Sequence, residues 1–307
     1  MASVSCILLS TMTEVPPPAT SVLCLGNFDG VHLAHRALLD NAKKLRSRLS
    51  ADTACGVFCF SEPTADYLSP TPPAHLCTLD QKLALFQKCG MEYAFVADFP
   101  TVRDMSPSDF IQKILKDRCH CVGAVCGFNF KFGKNGAGNA LLLKEHLGAP
   151  VEIQNAVSAE NKPISSTRIR GLLQEGCVKE AATLLCRPYS FRAPVIHGKH
   201  LGHKLGAPTL NQNIPTEMLV PAHGVYITDC EIEGQHFRGV TNVGVRPTVE
   251  KNATVNCETY LLDFDGNLYE KEITISFLDR IRAEKQFSSQ EELQAQIQRD
   301  IEAARNY

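Results

Sequence analysis

The chain has 307 residues, 44% of them hydrophobic and 21% charged, with a formal net charge of −2 at pH 7. That length exceeds a typical single core, so two domains are expected, and the near-balanced charge removes the electrostatic basis for a nucleic-acid partner. No stretch reaches the length of a membrane helix. The short apolar run Ile7-Leu8-Leu9 has no Lys or Arg before it, so neither a spanning segment nor a secretory leader is expected, and the expected location is cytoplasmic.

Thirteen cysteines occur without a C-x-x-C pair, and most lie inside apolar runs (Cys24, Cys55, Cys59, Cys230), which reads as reduced core thiols. Cys119-His120-Cys121 with Cys126 is the one cluster suggestive of metal. Strand alternation, however, would send Cys119 and Cys121 to one face and Cys126 to the other.

In chain order, Val22-Leu23-Cys24-Leu25 reads as a buried strand running into Gly26-Asn27-Phe28-Asp29-Gly30-Val31-His32-Leu33-Ala34-His35. A helix follows over 36–49, with Ala37, Leu38, Ala42 and Leu45 at helical spacing. Strand, glycine turn and helix start gather free backbone N–H groups and a positive dipole end where a phosphate can sit, and spacing puts His32 and His35 on one helix face. Further strands are expected at 56–60, 93–97, 122–126 and 151–153. Helices are expected at 79–88, closed by Gly90, at 110–115 after Ser106-Pro107, at 141–146 and from Thr167. This alternation predicts a parallel sheet with helices on both faces, and ligands at the carboxyl ends of its strands.

After Arg187-Pro188-Tyr189 the pattern changes. Strand signals at 195–196, 225–232, 236–243, 255–264 and 272–277 follow one another without helices, which predicts an antiparallel barrel or sandwich. The chain then closes on a helix with a capping box at Ser289-Gln290-Glu291-Glu292 and an apolar stripe of Leu293, Ile297 and Ile301. The expected domains are 1–185 and 186–307.

Two constellations carry chemistry. In the first domain, the 26–35 turn is matched by Ser165-Ser166-Thr167-Arg168-Ile169-Arg170, which sets hydroxyls at a helix start beside guanidinium groups suited to phosphate oxygens. Paired histidines donating to phosphate would stabilise charge on a transferring phosphoryl group. No Lys-Ser/Thr pair follows a glycine loop, so this is not a P-loop. In the second domain, Gly198, Lys199, Gly202, Lys204 and Gly206 lead into Ala207-Pro208-Thr209-Leu210-Asn211. Thr209 and Asn211 share one face of an extended chain as hard oxygen donors suited to Mg²⁺. Glu258, in the apolar run 257–264, is placed to act as general base.

Gly-Asn-Phe-Asp-Gly-Val-His-Leu-x-His with Ile-Ser-Ser-Thr-x-Ile-Arg resembles the nucleotidylyltransferase module of the prokaryotic bifunctional riboflavin kinase/FAD synthetase family. The loop Gly127-Phe128-Asn129-Phe130-Lys131-Phe132-Gly133 is similar to that family's flavin- and nucleotide-side loop. The second domain resembles the riboflavin kinase module in five ordered blocks: the 198–211 run, Gly224-Val225-Tyr226, 242–248, Glu258-Thr259 with Asp263-Phe264, and Arg282-x-Glu284-Lys285-x-Phe287.

The resemblance implies a Rossmann-like FAD synthetase domain followed by a β-barrel riboflavin kinase domain, using ATP and Mg²⁺ to convert riboflavin to FMN and FMN to FAD. It implies His32 and His35 as catalytic contacts to ATP phosphates. Gly26, Asn27, Phe28, Asp29, Asn129, Ser166, Thr167 and Arg168 would bind nucleotide or flavin. In the kinase, Gly198, Lys204, Gly206 and Pro208 would cradle ATP, Thr209 and Asn211 would hold Mg²⁺, Glu258 would deprotonate the riboflavin 5′-hydroxyl, and 282–287, with Arg282 and Glu284, would cover the flavin. Departures from the family pattern are Ala34 for Gly, Asn129 for Asp, His203 for Arg, and a missing Pro-His-Pro near 60–64. They leave open an alternative in which the first domain binds nucleotide or flavin without catalysis.

Overall fold

A computed structural model describes residues 4–9, 16–196, 209–245 and 255–307. The chain forms two compact units, 1–166 and 167–307.

The first unit is built on β1 (Ser5–Leu8), β2 (Ser21–Leu25), α1 (Leu33–Arg46), β3 (Ala54–Phe60), α2 (Ala65–Leu68), α3 (Leu79–Lys88), β4 (Tyr93–Ala97), α4 (Phe99–Val102) and α5 (Pro107–Asp109). The last helix runs on as a π-helical stretch, Phe110–Lys116. Then come β5 (Cys121–Gly127), the short pair β6 (Lys131–Phe132) and β7 (Gly138–Asn139), α6 (Ala140–His146), β8 (Val151–Gln154), and a second short pair, β9 (Ser158–Ala159) and β10 (Lys162–Pro163). The main sheet is parallel with strand order β1-β4-β3-β2-β5-β8.

β2 is buried along its whole length, as expected for a central strand covered on both faces. Leu23 and Leu25 pack with Phe58, Phe95 and Phe110 on one side, whereas Val22 and Cys24 pack with Leu39, Val57 and Phe86 on the other. Each fully buried Leu or Phe contributes on the order of 1.5–3 kcal/mol. β3 and β4 extend the sheet to one side of β2 and β5 to the other, so the order reverses between β2 and β5. In open parallel sheets that reversal opens the ligand crevice at the strands' carboxyl ends. The loops that leave β2 at Gly26 and β5 at Gly127 stand there.

α3 has well-defined ends. Thr78 Oγ1 accepts from the Gln81 amide at 3.3 Å while the Gln81 side chain accepts from the Thr78 amide at 3.0 Å, a full capping box. At the other end Gly90 takes φ 81°, and the amides of Gly90 and Met91 bond the carbonyls of Gln87 and Phe86. That is a Schellman closure.

The thiol alternation is corrected by a bulge. The β2–β5 register slips between Ser21 and Val22, skipping Val122, so Cys121, Ala124 and Cys126 face one core together with Cys119. All thirteen cysteines are free, and Cys186 alone is exposed. Burial pushes the thiols of Cys121 and Cys126 up to about 12.

The second unit opens with α7 (Ser166–Glu175), whose first residue belongs to the first unit, and α8 (Val178–Leu185). Its sheet comprises β11 (Tyr189–Pro194), β12 (Thr209–Asn213), β13 (Gly224–Ile232), β14 (Gln235–Val245), β15 (Val255–Leu261) and β16 (Glu272–Arg282), and α9 (Gln290–Arg305) follows. The order is β11-β16-β13-β14-β15-β12, antiparallel throughout. An Ile196–Asn211 bridge brings the two edges together. One face holds Tyr189, Phe191, Tyr226 and Phe277 and a hydroxyl ladder, Thr228–Thr241–Thr259, at 2.8 Å per step. Contacts divide the chain after Ser166, within the first turn of α7, and α8 packs against β11 and β16 of the second unit.

In α9, Ser289 caps the Glu292 amide at 3.2 Å, but the Glu292 carboxylate accepts from Ser288 rather than completing the box at Ser289. The expected stripe is also amended. Leu293 and Ile297 are half-buried, and Asp300 is buried beside Ile301.

Candidate active sites

The turn after β2 is conformationally costly. Phe28, Gly30 and Val31 all have positive φ, at 53°, 81° and 42°. For a β-branched residue such as Val31 this costs about 1–3 kcal/mol, and such strain persists only where the surroundings impose it. Here they do. The Asp29 carboxylate accepts from the Leu76 amide at 2.9 Å, the Gly30 amide lies 3.1 Å from Cys77 Sγ, and Ser166 Oγ donates to the Asp29 carbonyl at 3.0 Å. The two ends of the first domain therefore meet at this turn.

His32 is the N-cap of α1, its Nδ1 accepting from the His35 amide at 3.3 Å. An imidazole that accepts at Nδ1 carries its proton at Nε2. The His32 and His35 rings stack at 3.7 Å and 11°. Burial, then the neighbouring His32 and Lys82, hold His35 well below the usual histidine range. His35 is therefore neutral at pH 7, so it can donate to a phosphate from an N–H but brings no full positive charge.

Phe28 is fully buried, with its ring edge-on to Phe86 at 5.3 Å and to His35 at 5.2 Å. It supports His35 from beneath, and only its backbone is placed for a ligand. Gly26 is tied by its amide to the Phe58 carbonyl at 3.2 Å, and the exposed Asn27 donates to Thr64 Oγ1 at 3.1 Å. Asn129 is exposed in the loop after β5, next to Phe128, which is 58% exposed. Thr167 and Arg168 continue α7 beyond Ser166 and count with the second unit.

In the second unit, Asn211 of β12 and Glu258 of β15 are direct cross-strand partners, with Thr209 opposite Tyr260 and Asn242 of β14 opposite Glu258. Asn211 and Asn256 are buried, and Glu258 is half-buried. Asn256 Nδ2 lies 3.1 Å from Asn211 Oδ1 and 3.2 Å from Glu258 Oε1. Arg282 directs its guanidinium to Asp300, with contacts of 3.2, 3.1 and 2.8 Å. The Glu284 carboxylate sits over Gly244 and 3.7 Å from His223 Nδ1. Gly198, Lys204, Gly206 and Pro208 lie outside the described residues.

An FAD synthetase family model matches residues 15–168, and a riboflavin kinase family model matches residues 185–307. The bifunctional riboflavin kinase/FMN adenylyltransferase of Pseudomonas fluorescens is 33% identical over 92% of this chain and 92% of its own. The chain belongs to the bifunctional riboflavin kinase/FMN adenylyltransferase family. The Bacillus subtilis enzyme of the same name is also 33% identical, over 94% of this chain and 93% of its own. A solved structure titled macrolide-efflux protein, from Streptococcus pneumoniae, matches with a TM-score of 0.90 and 30% identity, covering 99% of this chain and 100% of that one. Among the described residues no helix is long and apolar enough to cross a membrane.

Beside the blocks shared with this family, the structure brings in residues that sequence reasoning missed. Asn256 sits two positions before Glu258, and strand alternation alone puts the two on one face. Asp300 falls within the α9 stripe, at i+3 from Ile297, where a carboxylate demands a partner. Lys82 on α3 is 2% exposed, with Nζ 3.5 Å from the Phe60 carbonyl at the end of β3. Its position in an amphipathic helix gave no warning of burial. His75 Nε2 pairs with Asp66 of α2 at 2.8 Å.

Proposed function

We propose that the two modules act in sequence on one flavin. The second module transfers the γ-phosphoryl group of ATP to the 5′-hydroxyl of riboflavin, giving FMN. The first transfers the adenylyl group of another ATP to the FMN phosphate, giving FAD and pyrophosphate. The observation that carries the kinase assignment is the direct pairing of Asn211 with Glu258 across β12 and β15.

In the kinase, Glu258 takes the proton of the 5′-hydroxyl as its oxygen attacks the γ-phosphorus. Thr209 and Asn211 offer a hydroxyl and an amide oxygen, a donor set that fits a hard divalent cation retaining phosphate and water ligands. Mg²⁺ held there would neutralise charge on the ATP phosphates. Gly198, Lys204, Gly206 and Pro208 are assigned to those phosphates on the sequence pattern alone, and 282–287, including Glu284, to covering the flavin.

In the adenylyltransferase, the FMN phosphate attacks the α-phosphorus and pyrophosphate leaves. The backbone at Asn27 and Phe28 in the strained turn, the helix N-terminus at His32 and neutral N–H donors from His32 and His35 stabilise the charge that builds on the phosphates. Ser166, Thr167 and Arg168 complete the nucleotide side, and Asn129 belongs to the flavin-side loop. Both reactions are assigned to the cytoplasm, whose reducing conditions suit thirteen free thiols.

Supplying riboflavin, or FMN, with MgATP and following FMN, FAD and pyrophosphate tests the division. Glu258→Ala should abolish FMN formation and leave FMN-to-FAD conversion intact. Parallel loss of both activities in a folded variant would refute two independent sites, and FMN left unconverted by the wild type would refute catalysis in the first module.

A further inference from the structure

Asn256 stands between the two groups on which the kinase reaction depends. Its side chain is 3% exposed, and its single amide nitrogen donates to Asn211 Oδ1 at 3.1 Å and to Glu258 Oε1 at 3.2 Å. The strand register explains how. Asn256 and Glu258 are i and i+2 on β15 and so share a face, while β12 sets Asn213 opposite Asn256 and Asn211 opposite Glu258. Asn256 therefore reaches Asn211 diagonally and Glu258 along its own strand.

Asn211 Oδ1 and Glu258 Oε1 are both electron-rich oxygens, and nothing in their own chemistry holds them together. An N–H₂ group between them turns that repulsion into two hydrogen bonds, one from each of its hydrogens. The opposite amide orientation would set an oxygen against the carboxylate, so the contact to Glu258 also fixes which way Asn256 points. An amide oxygen has two lone pairs, so a donor on Asn211 Oδ1 does not by itself bar a cation there, and the Glu258 carboxylate has a second oxygen, Oε2, for the substrate hydroxyl. The remaining Asn256 atom, Oδ1, is buried and has no hydrogen-bond partner among the described residues.

We propose that Asn256 is a positioning residue of the riboflavin kinase site, whose amide locks the metal-side ligand Asn211 and the base Glu258 into one rigid unit. This inference rests on the roles assigned to Asn211 and Glu258 above. Outer partners that orient ligands in this way typically carry about 10–100-fold in activity or metal affinity. The effect falls on kcat and on the Mg²⁺ requirement rather than on riboflavin binding, since the Asn256 amide is engaged by Asn211 and Glu258.

The test uses the full-length chain with Asn256→Asp, which keeps the size but replaces the donor by a repelling carboxylate, Asn256→Ala, and Asn256→Ser, which retains one O–H donor. Steady-state FMN formation is measured against riboflavin and against Mg²⁺, with FMN adenylylation and thermal unfolding followed on the same preparations. Expected are a fall in kcat of about 10–100-fold for Asp and Ala, a raised Mg²⁺ concentration for half-activation in Ala, partial recovery in Ser, and a riboflavin KM within about threefold of wild type. Retention of kcat within about threefold, with an unchanged Mg²⁺ requirement in both Asp and Ala, overturns the proposal. So does loss of kinase activity that tracks loss of the folded state in all three variants, because Asn256 is then structural. Glu258→Ala separates the two levels. If that variant still makes FMN, the catalytic assignment fails; if it is inactive while Asn256→Asp is active, only the positioning role fails.

Discussion

Asp300→Ala is expected to loosen the C-terminal helix by about 3 kcal/mol. The carboxylate of Asp300 is 3% exposed and the Arg282 side chain 21%. It receives guanidinium contacts at 3.2, 3.1 and 2.8 Å and a fourth bond from Gln296 Nε2 at 2.8 Å. A surface ion pair is worth about 0–1 kcal/mol, whereas removing one partner of a buried pair costs about 3–5 kcal/mol, because the other charge is left in a poor solvent. Water reaches part of the Arg282 guanidinium, which selects the lower end of that range. At about 1.4 kcal/mol per decade, 3 kcal/mol is on the order of a 100-fold loss of protection. Hydrogen–deuterium exchange of α9 reads this locally and avoids a global two-state assumption that a two-unit chain does not satisfy. The double variant Arg282→Met with Asp300→Leu should recover most of the loss, since a buried pair exchanged for apolar side chains of similar volume is commonly neutral or better. Less than a tenfold change in Asp300→Ala, or a double variant less protected than the single, would refute this reasoning.

Three further outcomes follow from other contacts. His35 is held neutral in the fold but protonates near its ordinary value of about 6.5 once unfolded. Unfolding therefore takes up a proton below that pH, and stability contributed by the neutral form is present above about 6.5 and lost as the pH falls towards the lowered native value. Urea midpoints between pH 5 and 7.5 should slope less in His35→Gln than in wild type, and parallel slopes would contradict the assignment. Gly224 has φ 152°, and a Cβ there would meet the Arg282 carbonyl, so Gly224→Ala should cost about 2 kcal/mol or more. At Gly244 the added carbon would displace the movable end of exposed Glu284 and otherwise meet Asn242 Nδ2 at an ordinary contact distance of 3.4 Å, so Gly244→Ala should cost less than about 1 kcal/mol when thermal melts of the two variants are compared; equal costs would refute the distinction. Lys82→Met exchanges a buried amine with one 3.5 Å hydrogen bond for an apolar end of similar length. Stability should hold or rise, and a loss above about 1.5 kcal/mol would show that the amine is better satisfied than its contact implies.

Where local signals decide the outcome, the chain is readable residue by residue. The expected helix at 79–88 and strand at 93–97 coincide with α3 and β4, because a capping residue, a closing glycine and an apolar run mark their ends. β1 shows in the sequence only as an apolar run: its four residues carry no period, and its pairing with β4 is a long-range event. α8 and β11 lie between the recognisable blocks, where no motif marks them. The π-helical stretch 110–116 and the bulge opposite Val22 depend on tertiary packing, which periodicity does not encode. At the sites the same division holds. Gly26, His32, Asn211 and Glu258 stand in ordered blocks, so the sequence alone nominates them. The stacking of His32 on His35, the burial of Phe28, the diagonal reach of Asn256 and the pairing of Arg282 with Asp300 are contacts that only the folded register creates.

The distribution of thiols makes the native chain a reporter of its own opening. Cys186 follows α8 in a left-handed conformation and is the one exposed cysteine of thirteen. Nine cysteines belong to the first unit and four, Cys186 included, to the second. An alkylating reagent offered at neutral pH should therefore mark Cys186 first, and each later modification, located by peptide mapping, identifies the module that has let solvent in. The same arrangement gives a single natural attachment point for a dye or spin label just before the kinase barrel, with no engineering of the sequence.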